Sequence, residues 1–336
     1  MKRIFFLAIG AAVVVISLLL LRTGTASAPD YPSITIVDNK PEVTIEIPAG
    51  ASGSDIARLL FEDGVVKSSE AFFRVAVGDQ RSEKIAPGAH RLTTQISAAQ
   101  ALDQLLDATR IPNLIRVPEG AWKSEITDSL VQYGFSRNQV AAAFESLNLP
   151  NGFRDPEGLL FPAQYTFSKE TTATQAVQAM VDRFLKESIA TEILRGDSRF
   201  TPSQLLTIAS IVQAEGDEKD FSRVSTVIRN RLEIGMPLQM DSTVHYIKKV
   251  RGEIFLSTKS TLIDSPYNTY KKYGLPPGPI GNPGRAAMQA ALKPEAGNWL
   301  FFITVAPGDT RFTNSIAEFN EWKALYQKNR RAGLFK

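Results

Sequence analysis

An internal repeat at an offset of seventy positions limits how this chain can fold more than any other feature of its sequence. IPAGA at residues 47–51 corresponds to VPEGA at residues 117–121. Each copy begins with a strand pattern, passes through a Pro-x-Gly turn into two short helical patterns, and closes with a second strand pattern. The sequence therefore predicts two β-α-α-β units, over residues 42–110 and 113–168, which together form one region over residues 42–168.

The layout of these units resembles the LysM module, a small fold that binds peptidoglycan. The likeness rests on the leading strand and its Pro-x-Gly turn, and a helix over residues 98–108 is expected between the two copies. A layout of this kind is equally compatible with two structural spacers. Both interpretations stay open at this point: LysM-like units that bind glycan, or spacers that only support the rest of the chain.

The remaining residues, 169–336, are dominated by helical patterns and predict a mainly helical α+β domain. One apolar face runs through residues 173–194, and a further helix is expected over residues 221–234. Another helical pattern at residues 282–292 precedes a buried strand pattern at residues 298–305. Together with the two β-α-α-β units, these patterns indicate the α+β fold class.

One helix of this domain ends in LLTIASIVQAEG (residues 205–216) and carries a carboxyl group on its apolar face. Glu215 follows Val212 by three positions and Ile208 by seven, so it points in the same direction as the buried stripe. Ser203 is expected to cap the start of the helix. Partial burial and the negative end of the helix dipole both raise the pKa of such a carboxyl, which suits a general acid. The alternative is a glutamate that reaches solvent or pairs with a nearby Lys or Arg.

The loop-rich segment that follows is dense in polar and aromatic side chains. Those expected to bind a substrate are Gln239, Asp241, Ser242, Thr243, Tyr267, Asn268 and Tyr270. Amides and hydroxyls form directional hydrogen bonds with sugar hydroxyls and acetamides, and tyrosine rings stack on sugar faces. This set predicts a cleft for a neutral, polyhydroxylated ligand.

Asp241 admits two interpretations. Ordinary glycosidases use two carboxyl groups across the scissile bond, and Asp241 is then the partner of Glu215. An Asp before Ser-Thr is also a common helix cap, in which case the site has one carboxyl group. A single glutamate can still protonate the glycosidic oxygen and then accept the proton of the sugar's own 6-hydroxyl, which closes the ring internally. The residues leave both possibilities open.

The N-terminus carries an uncharged apolar run, IFFLAIGAAVVVISLLLL at residues 4–21, behind two basic residues. A helix of this length spans roughly 27 Å, about the thickness of one hydrocarbon core. Residues 1–22 are therefore expected to be a cytoplasmic stub and transmembrane anchor, and residues 23–41 a linker to the body outside. Cleavage as a signal peptide after Ala-Ser-Ala at residues 26–28 is the alternative, although the proline that follows would hinder it.

Composition narrows the chemistry further. The chain has no cysteine, which excludes disulfides, a thiol nucleophile and a thiolate-bound metal. Its two histidines, His90 and His245, lie far apart in sequence, so neither a histidine-based metal site nor a cofactor is expected. His245 is able to reach the polar cleft, but we expect it at the surface or in packing. The net charge of +3, without a strong basic cluster, gives no indication of nucleic-acid binding.

Three segments resemble one known family closely. They are LLTIASIVQAEG, IRNRLEIGMPLQMDSTVHY at residues 228–246, and SPYNTYKKYGLPPGPIGNPGRAAMQAALKP at residues 265–294. EGLLFPAQYTF at residues 157–167 and the strand NWLFFIT extend the match over nearly the whole chain. The sequence is similar to the MltG/YceG family of membrane-anchored endolytic murein transglycosylases.

The resemblance implies a function. The family's catalytic glutamate corresponds to Glu215, and the family's lyase reaction cuts nascent peptidoglycan strands at MurNAc-GlcNAc bonds, which leaves 1,6-anhydroMurNAc ends. It also implies a role in terminating glycan elongation beside cell-wall synthases, at the bacterial inner membrane with the catalytic part on the extracytoplasmic side. Three positions depart from the family's pattern: Gln213 replaces an acidic residue, Ala163-Gln164 replaces Asp-Thr, and His90 replaces Tyr.

A function from another class stays open, namely a non-catalytic peptidoglycan-binding scaffold that tethers cell-wall synthases through its two repeats. A lyase that uses a lysine Schiff base is a more distant alternative. Such a lyase would need a lysine within the apolar motif, but the nearest one, Lys219, lies in an acidic loop.

Overall fold

The computed structural model describes residues 28–34, 40–48, 50–112, 114–251, 257 and 259–335. These residues divide into two compact units. One comprises the described residues of Met1–Pro112 together with Thr166–Lys169, and the other those of Asn113–Tyr165 and Glu170–Lys336. The described part of the chain contains 12 α-helices and small antiparallel sheets, which agrees with the α+β class.

The first unit contains one β-α-α-β arrangement and a further helix. Its elements are β1 (Glu42–Ile47), α1 (Gly53–Glu62), α2 (Ser69–Gly78), β2 (Gly88–Thr93) and α3 (Ala98–Leu106). The two strands pair antiparallel, from Glu42 opposite Thr93 at one end to Ile47 opposite Gly88 at the other. Gly88 has a φ of +108°, and a Cβ there would lie 2.4 Å from Thr166 Oγ1, so glycine is required for this close approach.

The core of the first unit lies between this hairpin and its helices. Ile45 and Leu92 face inward from the strands because side chains alternate across a strand. Leu60 of α1 and Phe72 of α2 are fully buried in the same cluster. Ser52 begins α1 as a side-chain cap, so local sequence fixes the helix start and apolar spacing fixes its inward face.

The second unit begins with another β-α-α-β arrangement. Its elements are β3 (Ile115–Val117), α4 (Lys123–Tyr133), α5 (Arg137–Glu145) and β4 (Ala163–Tyr165). The strands pair antiparallel, with Ile115 opposite Tyr165 and Val117 opposite Ala163. Six helices follow: α6 (Ala173–Leu185), α7 (Ser188–Arg195), α8 (Pro202–Glu215), α9 (Phe221–Glu233), α10 (Asp241–Lys248) and α11 (Arg285–Leu292). The unit ends with a hairpin and a helix: β5 (Phe301–Ala306), β6 (Asp309–Thr313) and α12 (Ile316–Arg331).

Helix α8 is the buried centre of this unit. Every residue from Leu205 to Val212 is buried, so the helix is surrounded on all sides. The expectation that Ser203 caps it is wrong, because Thr201 accepts from the Gln204 N–H and forms a capping box two residues earlier. Pro202 then occupies the first turn, where its fixed φ and missing N–H suit a helix start.

The helical pattern at residues 173–194 forms two helices rather than one. Glu187 is extended between α6 and α7, with φ −73° and ψ 131°. Its carboxylate accepts two hydrogen bonds from the Arg285 guanidinium, at 2.5 and 2.6 Å. A charge-assisted contact between residues 98 positions apart therefore lies at the point where the helical pattern is interrupted.

The predicted closing strand at residues 158–167 is reduced to the three residues of β4. The Gly158 and Leu160 N–H groups donate to the Asn282 side chain and so are not available to a partner strand. The first strand of the copy and both helices are present in the predicted order.

The second copy lies in the same compact unit as residues 170–336, whereas the sequence predicts a boundary near residue 168. The expected anchor at residues 1–22 and part of the expected linker at residues 23–41 lie outside the described residues. Within the described ranges, no helix combines the length and apolar character that crossing a membrane requires.

Candidate active site

Glu215 is the last residue of α8, and part of its surface reaches solvent. Its Oε1 accepts a hydrogen bond of 3.0 Å from the Ser242 main-chain N–H. Burial among protein atoms is the main cause that raises the pKa of its carboxyl, and the negative charge of Asp241 acts in the same direction. The contacts with Ser242 and the positive charge of Arg231 oppose this, but burial prevails. The carboxyl is therefore adapted to hold a proton that a free glutamate would lose.

The start of α10 is held in place by Thr269. Its Oγ1 accepts from the Met240 N–H at 3.0 Å, and its carbonyl accepts from the Gln239 N–H at 3.1 Å. The hydroxyl of Thr243 lies 3.0 Å from the Thr269 hydroxyl, which closes the connection from the helix side. These bonds fix the main chain that presents the Ser242 N–H to the carboxyl.

Asp241 is the first residue of α10 and not its cap, because Met240 occupies the cap position. The Tyr270 hydroxyl donates a hydrogen bond to Asp241 Oδ1. Burial and this neighbouring carboxylate raise the pKa of Tyr270, so the phenol keeps its proton and stays a donor. Tyr270 therefore orients a negative charge next to Glu215.

Two predicted site residues are fully buried and form hydrogen bonds within the protein. Thr243 is fully buried, and its hydroxyl donates to the Met240 carbonyl at 2.7 Å. Asn268 is also fully buried, and its Nδ2 donates to the carbonyls of Thr261 and Ile263 at 3.1 and 2.7 Å. Their side chains support the loops that carry the site.

Two further predicted residues lie nearer the surface. Gln239 is exposed and has a φ of +49°, in the left-handed region. Tyr267 is partly exposed, and its ring centroid lies 5.2 Å from that of Tyr246. The predicted residues that the structure brings into one connected cluster are Glu215, Asp241, Ser242 and Tyr270.

A second buried carboxyl group, on Glu157, was not singled out by sequence reasoning. Glu157 is 3% exposed, and Oε1 accepts from the Lys123 N–H at 2.9 Å and from Asn282 Nδ2 at 3.1 Å. Its Oε2 accepts from the Tyr246 hydroxyl of α10 at 2.9 Å. Burial raises the pKa of this carboxyl to about 7. Glu157 thus connects α4, α10 and the loop before α11.

Asn282 is fully buried and completes this connection. Its Oδ1 accepts from the Gly158 and Leu160 N–H groups at 2.9 and 2.8 Å. Its Nδ2 also donates to the Ala121 carbonyl at 2.8 Å. Asn282 lies in the turn GNPG at residues 281–284, which we call the GNPG turn. This one side chain therefore holds both ends of the second β-α-α-β arrangement.

Helix α8 holds the same turn through two polar side chains. Ser210 Oγ accepts from the Ile280 N–H at 3.0 Å, and Gln213 Oε1 accepts from the Gly284 N–H at 2.9 Å. Gln213 occupies a position where the MltG/YceG pattern often has an acid. Here its amide supports the turn two residues before Glu215.

A cavity of about 270 Å³ opens beside the cluster. Gln213 and Ala214, which directly precede Glu215, line one side of it, and Ser242 and His245 line another. The expectation of a surface or packing position for His245 is therefore incomplete, because the residue forms part of the cavity wall.

Comparison with known proteins assigns the family. Residues 45–324 match the model of the YceG-like family. The chain belongs to the YceG-like family. The predicted family membership is confirmed by this match, which spans both described units.

Individual relatives agree with the family assignment. This YceG-like chain is 32% identical over 313 residues to a Bacillus subtilis protein named endolytic murein transglycosylase, with 86% of each chain covered. A protein of the same name from Streptococcus pneumoniae serotype 2 is 28% identical over 315 residues, which cover 83% of this chain and 57% of the relative. A crystal structure of a yceG-like protein from Listeria monocytogenes has a TM-score of 0.56 and 29% identity, over 84% of this chain and 99% of that one.

Arg231 is a further buried residue of this YceG-like chain whose charge acts on Glu215, and sequence reasoning missed it. It is 7% exposed, and its Nε donates to the Leu300 carbonyl at 2.6 Å. Burial lowers the pKa of its guanidinium, while the nearby Glu215 charge raises it. The signal was present in the sequence, because Arg231 follows the buried Val227 by four positions and so lies on the inward face of α9.

Proposed function

We propose that this chain is an endolytic peptidoglycan lytic transglycosylase, with Glu215 as its catalytic acid and base. Two relatives named endolytic murein transglycosylase support the activity. The observation that carries the residue assignment is the raised pKa of a carboxyl at the end of α8, directly beside the Ser242 N–H. The proposed substrate is the glycan strand of peptidoglycan.

In the first step, neutral Glu215 donates its proton to the oxygen that links MurNAc to GlcNAc. The bond between C1 of MurNAc and that oxygen breaks, and the oxygen leaves as a hydroxyl of GlcNAc. Positive charge develops at C1, and the substrate's acetamido group is able to stabilise it. Glu215 is now a carboxylate, which the Ser242 N–H and the charge of Arg231 stabilise.

In the second step, the Glu215 carboxylate accepts the proton of the MurNAc 6-hydroxyl, and the oxygen of that hydroxyl forms a bond to C1. The product is a 1,6-anhydroMurNAc end, and Glu215 is again neutral. The reaction consumes no water, so it requires no second carboxyl group to activate one. Asp241 has a different role in this proposal, because its charge raises the pKa of the acid.

The proposed location is the bacterial inner membrane, with residues 1–22 as a single-pass anchor and the catalytic part on the extracytoplasmic side. The apolar run at residues 4–21 supports this part of the proposal. Glycan binding by LysM-like units, cleavage of nascent strands and termination of elongation beside cell-wall synthases belong to the same proposal. The β-α-α-β order of both copies supports the first of these.

The test compares the wild type with Glu215→Gln on lipid-linked nascent glycan. Glu218→Gln is the matched control, because Glu218 is an exposed glutamate in the turn after α8. Mass spectrometry of the digested glycan should find anhydro ends with the wild type and the control. Glu215→Gln should fold normally, by circular dichroism, and lose at least about a hundredfold in rate.

Other products would contradict the proposal in distinct ways. Reducing ends in place of anhydro ends would indicate a hydrolase. Retention of glycan without any change in strand length would indicate the non-catalytic scaffold. Substantial anhydro product from Glu215→Gln would show that another group supplies the proton.

A further inference from the structure

Residues 28–34 belong to the expected linker, yet they lie against the first unit and make specific contacts with it. Ala28 and Ile34, at the two ends of this segment, pack against the apolar core of the unit. A free linker has no fixed neighbours, because it samples many conformations in solvent. The contacts that this segment makes with the starts of two helices therefore need an explanation of their own.

The first of these helix starts is that of α2. Ser68 caps this helix, because its hydroxyl oxygen accepts from the Ala71 N–H at 3.2 Å. The same hydroxyl donates to the Pro29 carbonyl at 2.8 Å. The neighbouring Lys67 Nζ lies 5.9 Å from the centroid of the Tyr31 ring, a cation-π contact. One helix cap therefore also holds the main chain of the segment.

The second helix start, that of α3, makes more contacts with the segment. The Ala98 N–H lies 3.0 and 3.2 Å from the two carboxylate oxygens of Asp30, which accept from it. The positive end of the helix dipole favours a negative charge at this place. Gln100 accepts from the Ile34 N–H at 3.2 Å and donates to the Ile34 carbonyl at 2.6 Å. One amide side chain thus holds both main-chain groups of Ile34.

These contacts join residues that are far apart in the chain. Asp30 and Ala98 are 68 positions apart, and the hydroxyl oxygens of Ser33 and Ser97, 64 positions apart, lie 3.1 Å from each other. Several contacts are needed to hold a segment of this length, because the ordering of each residue costs conformational entropy. The hydrogen bonds at two helix starts and the apolar packing at both ends of the segment provide them.

The place of this segment in the sequence limits how far the first unit can move from a membrane. As a fully extended linker, residues 23–41 would reach at most about 68 Å. Only residues 23–27 separate the expected anchor from Ala28, and five residues reach at most about 18 Å. A segment that is held from Ala28 onward therefore keeps its end of the first unit close to the lipid headgroups.

We propose that residues 28–34 form a strap that fixes the first unit to the expected anchor, so that the unit stays within about 18 Å of the bilayer surface at Ala28. The surface that binds the strap belongs to the same chain and consists of the starts of α2 and α3. The distance rests on the anchor at residues 1–22, which is part of the proposed function. The strap itself rests on the contacts within the first unit. It keeps this unit at the membrane surface, where lipid-linked glycan begins.

The first test compares two insertions in the full chain, reconstituted in phosphatidylcholine vesicles. Because the chain has no cysteine, Glu70→Cys provides a single labelling site at an exposed position in the first turn of α2. Energy transfer from this label to an acceptor on the lipid headgroups measures the distance of the label from the bilayer surface. A six-residue Gly-Ser insertion before Ala28 extends the reach to about 40 Å and should lower the transfer. The same insertion directly after Ile34 should leave the transfer unchanged.

The second test measures the strap without a membrane, by hydrogen exchange of the full chain in detergent micelles. Asp30→Ala should raise the exchange rate of the Ala98 amide at least about tenfold, because it removes the acceptor of that N–H. Asp30→Asn keeps an oxygen acceptor and should raise the rate less. Asp63→Ala removes an exposed aspartate from the same unit and should leave the Ala98 amide unchanged.

The proposal is overturned if the two insertions lower the energy transfer equally, because residues 28–34 then behave as a free linker. An Ala98 amide that exchanges equally fast in the wild type and in Asp30→Ala would overturn it as well. Neither measurement requires turnover, so a failure of the proposed activity is seen separately. An intact mass that shows removal of residues 1–28 would contradict the anchor and the distance, while the exchange of Ala98 would still decide whether the strap exists.

Discussion

Between its two helices, the first β-α-α-β arrangement has a hollow of about 260 Å³ that α1 and α2 line by themselves. The second has a hollow of about 310 Å³ between α4 and α5, but Glu157, Tyr246 and Lys249 also line it. Ser54 and Ser124 stand at equivalent positions in the two hollows, seventy residues apart. The repeat thus supplies a similar arrangement twice, and of these two hollows, as the described residues form them, the second is the one that side chains from outside its pair of helices also line.

The segments that complete the second hollow also carry the candidate active site. Tyr246 belongs to α10, whose first turn presents Ser242 to Glu215. Lys249 Nζ lies 3.6 Å from the centroid of the Tyr246 ring, a cation-π contact at the end of the same helix. The comparison teaches that the second copy contacts α10, whereas α1 and α2 of the first copy line their hollow by themselves.

The largest expected effect comes from removing the side chain that joins the second copy to the GNPG turn. Asn282→Ala leaves the buried N–H groups of Gly158 and Leu160 without an acceptor. We expect the free energy of unfolding of the second unit to fall by about 3–5 kcal/mol, since each unpaired buried group costs about 1–3 kcal/mol. Urea denaturation followed by tryptophan fluorescence measures this.

Asn151→Ala, at an exposed position, is the control for the loss of an asparagine and should have almost no effect. Protection of the first unit's amides in hydrogen exchange should be unchanged in Asn282→Ala. Equal loss of protection in both units would contradict the distinction drawn between the two copies.

The next effect is a pH dependence of the free energy of unfolding, caused by Glu157 of the second copy. The Glu157 carboxyl has a pKa of about 7 when folded against an ordinary value of 4.5, so the folded state keeps a proton that the unfolded state loses. The free energy of unfolding should therefore fall as pH rises from 4.5 to 7, by roughly 3 kcal/mol at the limit. Glu157→Gln should remove this slope, because its amide does not titrate.

Denaturation of both proteins at several pH values gives the difference directly. Below about pH 4.5 the carboxyl is protonated in both states, so the two proteins should show a constant offset there. A wild-type slope that survives in Glu157→Gln would mean that another group causes it.

A smaller effect tests whether the helix caps of the two β-α-α-β copies contribute equally to stability. Ser52 of the first copy and Ser136 of the second each form a capping box at a helix start. Replacing either by Ala should destabilise its own unit by about 1 kcal/mol, whereas Gly should cost only a few tenths. If Ser52→Ala and Ser136→Ala destabilise their units unequally, the structure around the second copy affects even a helix cap that is exposed to solvent.

The smallest effect lies at the site that the second copy supports. Asp241→Asn removes a negative charge that raises the pKa of Glu215, while burial, the larger cause, remains. The reaction needs the protonated acid, so activity falls as pH rises through this pKa. We expect Asp241→Asn to move that fall to lower pH. Asp217→Asn, on the exposed residue after Gly216, should leave the profile in place.

Local signals were sufficient for much of the fold. The repeat predicted both β-α-α-β orders, and the apolar residues of α8 predicted a buried helix, although it is buried on all sides and not along one stripe. These features depend on neighbours within a few residues, where periodicity and turn chemistry act directly. The position of Glu215 at the helix end follows from Gly216 in the same way.

Long-range contacts account for what the sequence could not predict. At the break, Glu187 binds Arg285, and just before the short strand β4 the Gly158 N–H donates to Asn282, with partners more than 90 positions apart in each case. Thr243 and Asn268 look like ligand groups by residue type, but their side chains are used by loop carbonyls and hydroxyls. His245 shows the reverse, because the sequence favoured a surface or packing position and the tertiary structure puts it in a cavity wall.

The groups that contact Glu215 and its helix come later in the chain than their partners, and this order has a consequence for biosynthesis. Ser242 comes 27 residues later in the chain than Glu215, which it contacts. Gly284 donates its N–H to the Gln213 side chain and comes 71 residues later than Gln213. A ribosome therefore delivers Glu215 well before the groups that set its proton affinity. Premature termination between Glu215 and the GNPG turn would release a fragment that has the glutamate but lacks at least one of these contacts, and such fragments should be inert toward the wall.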